Sequence, residues 1–277
     1  MGGRRSSRHR SPLRAQALFV SRSGNGPRPV VLLHGLLGSG RNVATLARRL
    51  VEADDTLSVF AIDLPGHGAS PPLPPDADLT ALARQVLSTA RATGIGTPLT
   101  IVGHSLGGRV ALAACRVEPA AVAHVSLLDI SPSPLRGETE TTPIVEVLLG
   151  APDVADDRDV FRAYFRGAGL TAEIAEWLLM NLASADGGFG WRIDRQALAR
   201  LHRRTGAEDL WQAVEDAHAY GLHCVRGGRS RYVNADDTRR LQAAGCPVDT
   251  VEEAGHFLHV ERPAEVVALV RARLPGR

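Results

Sequence analysis

The 277-residue chain has no lysine; all 32 of its basic residues are arginine, set against 30 acidic ones for a formal net charge of +2. Near-neutrality supplies no strong field that would argue for a nucleic-acid partner, so none is expected, and the arginine bias reads as genome composition rather than mechanism. Cysteine is scarce: Cys115, Cys224 and Cys246 are widely spaced and odd in number. That argues against a disulfide framework or a thiolate metal site. It fits a reducing compartment, the cytoplasm, or the mitochondrion if the source is eukaryotic. No apolar run approaches the roughly 20 residues that cross a bilayer, so no membrane partner is expected. Acidic residues are missing from positions 1–16, which are rich in arginine and serine. No apolar stretch follows as in a secretory signal. Residues 1–16 read as a disordered basic arm, with an organelle transit peptide as the alternative.

What the chain does have is glycine in a telling order. Gly103-His104-Ser105-Leu106-Gly107 is a G-x-S-x-G pattern. An apolar run, 99–102, precedes it, and Val110-Ala111-Leu112-Ala113-Ala114 follows with helical character. A strand, a sharp turn and a helix are the context in which such a serine stands clear of a sheet at a helix N-terminus. The bland alternative is a packing turn with a capping serine. A second glycine-rich loop, His34-Gly35-Leu36-Leu37-Gly38-Ser39, follows the apolar run 30–33. Loops of this kind bring backbone N–H groups to the carboxyl edge of a parallel sheet, where ligands bind. The amides of Leu36 and Leu106 are therefore expected to face one point and to receive an oxyanion. His34 is read as shaping its loop. Asp63 and His67, in the rigid loop 63–70, are read as supports of the site rather than a catalytic pair.

Strand-like runs at 17–21, 30–33, 57–62, 99–102 and 122–128 alternate with helical segments, the pattern of a doubly wound α/β sheet. The alternation then breaks. Residues 134–221 show helices and loops but no convincing strand, and gather Phe161, Tyr164, Phe165, Trp177, Phe189, Trp191 and Trp211 in a chain with only 4% aromatics. They are expected to form a helical cap over the site. The alternation resumes at 222–226, and the last strand, 247–251, leads into Gly255-His256. The expected division is a core of 17–133 and 222–277 with a cap of 134–221.

His34-Gly35, Asp63 to Gly68, Gly103 to Gly107 and Gly255-His256, in that order, resemble the α/β-hydrolase superfamily over nearly the whole chain. Within it, the chain looks most like small YbfF-type serine esterases and their mitochondrial relatives. The pieces that carry this are Leu128-Asp129-Ile130-Ser131-Pro132, Asn181-Leu182 with Asp186-Gly187-Gly188-Phe189, Trp191-Arg192, Asp209-Leu210-Trp211, and Arg226-Gly227-Gly228 with Ser230 and Tyr232. The resemblance implies an α/β-hydrolase fold with a mostly parallel sheet, a helical cap inserted after the sixth strand, 122–128, and hydrolysis of acyl esters.

Ser105 needs a base within hydrogen-bond reach, and in this fold's chain order the histidine comes last. His256 is the choice, with His259 as the alternative. Most of the superfamily places the acid after the seventh strand. Here that loop, 226–232, holds arginines and no carboxylate. Asp129, at the end of the neighbouring strand, is expected to substitute, as in the similar esterases; Asp236 and Asp237 remain alternatives. The resulting expectation is a serine hydrolase of small to medium acyl esters, with a small-molecule ester as partner and no metal or organic cofactor. A menaquinone-pathway-type lyase, a thioesterase, a C–C hydrolase and a non-catalytic binding protein on the same fold stay open.

Overall fold

The structure, a computed structural model, describes residues 17–135, 139–217 and 219–276. The basic arm expected over 1–16 lies outside the described residues. The apolar runs become strands because they can bury both faces. The first part of the chain forms β1 (Val20–Ser23), β2 (Arg28–Leu33), α1 (Gly40–Ala53), β3 (Leu57–Ile62), α2 (Leu79–Ala92), β4 (Leu99–His104), α3 (Leu106–Val117) and β5 (Val122–Leu128). An excursion follows, here called the cap: α4 (Thr141–Leu149), β6 (Val154–Ala155), α5 (Arg158–Gly167), α6 (Ala172–Leu179), β7 (Leu182–Ala185), β8 (Gly188–Trp191), α7 (Arg195–Gly206) and α8 (Trp211–Glu215). The chain returns through β9 (Gly221–Gly227), α9 (Ala235–Ala243), β10 (Val248–Val251), α10 (Leu258–Glu261) and α11 (Pro263–Arg273).

Seven strands form one sheet in the order β1-β3-β2-β4-β5-β9-β10. Only β1 runs antiparallel, against β3; the other pairs are parallel. Val31, Leu33 and Ile101 pack toward α2 and α3, while Leu32, Val102 and Leu128 pack toward α1 and α11. The winding reverses between β2 and β4, so the loops after these two strands open side by side at the carboxyl edge. That is where an open α/β sheet forms its crevice. The loops after β5, β9 and β10 continue the same rim.

Two expectations need correction. The strand Val122–Leu128 is the fifth of the described chain, not the sixth, because the sheet starts with a single antiparallel edge strand before β2. The cap is not purely helical either: β6, β8 and β7 form a small antiparallel sheet. Helix α6 stops at Leu179, and a hairpin pairs Ala185 with Gly188 across Asp186-Gly187 where no strand was expected. Gly187 takes φ 82°, which a side chain would resist. The cap aromatics also divide. Phe161 and Phe165 are fully buried against Trp191 inside the cap, leaving Trp177 to face the site.

One residue fastens both connections between cap and core. Arg109, in the first turn of α3 and buried, donates from Nη1 to the carbonyls of Ser131 (3.0 Å) and Ser133 (2.9 Å), where the chain leaves the core. Its Nε donates to Thr205 O (3.1 Å) and its Nη2 to Glu208 O, where the chain comes back. Burial lowers its pKa to about 10, so the guanidinium stays charged at neutral pH.

Candidate active site

The chain turns from β4 into α3 at Ser105, whose φ of 52° and ψ of −118° lie where side chains are strained. The flanking glycines explain how the turn fits. A Cβ on Gly103 would meet the Gly107 carbonyl at 2.5 Å, and one on Gly107 would meet the Leu33 carbonyl at the same distance. The strand, the helix and the loop after β2 are in backbone contact, and only hydrogen fits between them. Among the described residues, three non-glycine residues have positive φ: Leu37 (60°), Ser105 (52°) and Asp129 (50°). All three belong to this rim. Each such conformation costs on the order of 1–3 kcal/mol and persists only where the surroundings enforce it.

Asp129 leaves the end of β5 with its N–H donated to Val225 O at 2.8 Å. Its carboxylate is fully buried and accepts three hydrogen bonds. Gly227 N–H reaches Oδ1 at 2.9 Å, Ser230 Oγ–H reaches Oδ2 at 2.5 Å, and His256 Nδ1 donates to Oδ2 at 2.7 Å. The β9 loop thus contributes its amide and hydroxyl to an acid it does not itself carry. With Nδ1 holding the proton, Nε2 of His256 is left with its lone pair. Ser105 and His256 border one cavity of about 40 Å³, together with Leu36, Trp177 and Phe257. A second, of about 20 Å³, lies between Ser105, Leu36, Leu106 and Tyr232. Neither the Leu36 nor the Leu106 N–H donates to a protein acceptor among the described residues. The cap reaches the loop after β2 through Asn181, whose side-chain amide donates to Leu37 O at 2.9 Å.

The alternatives are accounted for elsewhere. His259 is buried, its ring 4.3 Å from that of His104, with no hydrogen bond to a carboxylate. Burial, reinforced by nearby His256, lowers its pKa to about 3. Asp236 pairs with Arg239, and Asp237 accepts the Ser133 hydroxyl at 2.6 Å. Asp63 accepts the N–H groups of Gly40 (2.6 Å) and Ala69 (2.8 Å), while His67 Nδ1 donates to Pro65 O (2.9 Å), so the two brace their loop and do not pair. His34 donates from Nδ1 to Gly35 O (2.8 Å) and accepts Leu64 N–H at Nε2 (2.9 Å), which requires the neutral ring. Burial accordingly lowers its pKa to about 4.

Two contacts had no counterpart in the sequence reading. His104 Nε2–H donates to the backbone carbonyl of His256 at 2.9 Å, joining the residue before Ser105 to the last loop. Tyr232 stacks on the His256 ring, centroids 3.9 Å apart. Ser230 and Tyr232 stood out as parts of a resemblance, but only three-dimensional proximity gives them partners. Among the described residues, no group of three or more His, Cys, Asp or Glu side chains is arranged to hold a metal ion. Also among them, no helix is long and apolar enough to cross a membrane.

Known proteins agree with this architecture. A family model for the alpha/beta hydrolase family matches residues 30–269. The chain is 31% identical to Lipase LipV of Mycobacterium tuberculosis, over 94% of this chain and 98% of that protein. It is 25% identical to Esterase YbfF of Escherichia coli, over 89% of this chain and 92% of the other. A marine microorganism esterase shares the fold with a TM-score of 0.82, covering 93% of this chain and 99% of its own at 22% identity. The strained strand-to-helix turn at Ser105, the mostly parallel sheet and a family match over most of the length lead to one conclusion: the chain belongs to the α/β-hydrolase family.

Proposed function

We propose that this hydrolase cleaves carboxylic esters of small to medium acyl chains through an acyl-enzyme on Ser105, with His256 as general base, Asp129 as its acid partner and the Leu36 and Leu106 amides as oxyanion donors. The observation that carries the reading is the 2.7 Å contact between Asp129 Oδ2 and His256 Nδ1, closed off by Gly227 and Ser230. A buried carboxylate so held fixes the imidazole tautomer and stabilises the imidazolium that forms during turnover. The relatives named esterase and lipase support ester substrates.

In the proposed sequence Ser105 Oγ attacks the ester carbonyl carbon while its proton passes to His256 Nε2. The carbonyl oxygen becomes an oxyanion held by two backbone N–H groups; losing one such donor typically costs about 2.7–4 kcal/mol of barrier. The carbon–oxygen bond to the alcohol then breaks as His256 returns the proton to the leaving oxygen. Water repeats the sequence on the acyl-enzyme and releases the acid.

A fluorophosphonate probe and a p-nitrophenyl ester series from acetate to palmitate test this. The expected result is labelling of the wild type, turnover greatest for short and medium chains, and loss of both in Ser105→Ala with an unchanged circular dichroism spectrum. Labelling that persists in Ser105→Ala, or a wild type that neither labels nor hydrolyses any ester, would overturn the proposal.

A further inference from the structure

Tyr232 takes no part in the steps above, yet it touches both the base and the cap. Its ring lies 21° from parallel to the His256 imidazole, at 3.9 Å between centroids. Its hydroxyl is 2.6 Å from Thr141 Oγ and accepts the Thr141 N–H at 3.3 Å. Thr141 is the first residue of α4, the helix that opens the cap, and Glu140 before it supplies no side-chain cap. The Tyr232 hydroxyl therefore does the work of an N-cap side chain for a helix in a distant part of the chain. Both residues are buried, and Thr141 borders both cavities flanking Ser105.

Asp129 holds the imidazole at one atom, Nδ1. One hydrogen bond fixes the ring at a single atom, and His104 and Phe257 meet it at an angle, centroids 4.7 and 5.4 Å away, so tilt about Nδ1, which carries Nε2 away from the serine, is opposed by no flat contact from them. A second aromatic ring lying flat against the first removes this freedom. Tyr232 also sits two residues beyond Ser230, which binds the acid, and its own N–H donates to Ser230 Oγ at 3.2 Å. One short segment thus sets the acid, the plane of the base and the start of the cap.

We propose that Tyr232 is a positioning residue that transmits the seating of cap helix α4 to the plane of the His256 ring, so that the base is aligned only when the cap is in place. This rests on the reading of His256 as general base. The titratable groups around the imidazole are Asp129, His104 and His259, and Glu140 neighbours the Tyr232 hydroxyl; the variants below leave all four unchanged.

The test is a double-mutant cycle on p-nitrophenyl butyrate hydrolysis by the full chain. Tyr232→Phe cuts both hydrogen bonds of the tie, while Thr141→Val cuts the hydroxyl–hydroxyl one and keeps the backbone N–H on Tyr232. Each is expected to lower kcat three- to tenfold with KM within twofold, and the double variant should be no slower than the slower single. Tyr232→Leu keeps water off the imidazole but removes the electron-rich face that favours the imidazolium. It is expected to lower kcat at least tenfold and to move the acid limb of the kcat/KM profile to lower pH, while Tyr232→Phe leaves that limb in place. Effects that multiply in the double variant, singles with wild-type kcat, or a change confined to KM would overturn the inference, the last by making Tyr232 a substrate contact. Failure of the underlying reading looks different: His256→Ala would then react with fluorophosphonate at the wild-type rate.

Discussion

Lowering the pH should unfold this protein through its histidines. Burial lowers the pKa of His34 and His124 to about 4, and of His67 and His259 to about 3, from an unfolded value of 6.5. A ring whose folded pKa is depressed binds its proton first in the unfolded chain. Its contribution is intact above pH 6.5 and is lost as the pH falls toward the folded value. Each ring then removes about 1.4 kcal/mol per pH unit, and four together about 5 kcal/mol per unit between pH 6 and 4. His104, His202 and His223 are shifted in the same direction and steepen the slope. A domain holding on the order of 5–15 kcal/mol is exhausted within that window, so a cooperative transition is expected between about pH 5.5 and 4. Urea titrations at pH 7.5, 6.5 and 5.5, followed by tryptophan fluorescence, measure the slope directly. His124→Gln, remote from the site, should reduce it by about 1.4 kcal/mol per unit. Equal stability at pH 7.5 and 5.5 would refute the reasoning.

Three further outcomes are expected. Asp129→Asn keeps the shape but no longer fixes the tautomer, and should lower kcat by about 10³–10⁴-fold, measured against Asp236→Asn at wild-type rate. Ser230→Ala removes one hydrogen bond to a buried carboxylate, worth about 1.5–3 kcal/mol, and should slow turnover by roughly tenfold or more with little change in KM. Arg109→Met leaves four carbonyls without their donor; at about 1 kcal/mol or more each, the thermal midpoint should fall by roughly 10 °C in a scanning calorimeter.

Much of the site was legible because its requirements are local. The glycines around Ser105 announce a backbone contact, and the lack of a carboxylate in the loop 226–232, with the resemblance to the similar esterases, pointed to Asp129, which the structure places on the His256 ring. The cap sheet was not legible for the opposite reason. Leu182, Ala183, Ser184 and Ala185 contain no β-branched or aromatic residue, so their strand exists only because β8 pairs with it; Asp186-Gly187 was the one local signal. Tyr232 lies 24 residues before His256 in the chain, and no periodicity joins it to that ring or to Thr141. The left-handed backbone at Asp129 was equally invisible, because a carboxylate before Ile130 and Pro132 reads as an ordinary turn cap.

The guanidinium of Arg109 constrains how a molecule can get in. It grips the outgoing and the incoming connection of the cap at once, so swinging the whole cap aside as a door would strip a buried cation of its partners in one motion. The space that borders Ser105 and His256 is about 40 Å³. Any widening of that space that leaves the Arg109 contacts intact would have to arise within the cap, at α5, α6 or the small sheet, and not at α7, where Thr205 is held. A family member built this way would tune substrate size by loosening Trp177 and its neighbours, and would keep the clasp untouched.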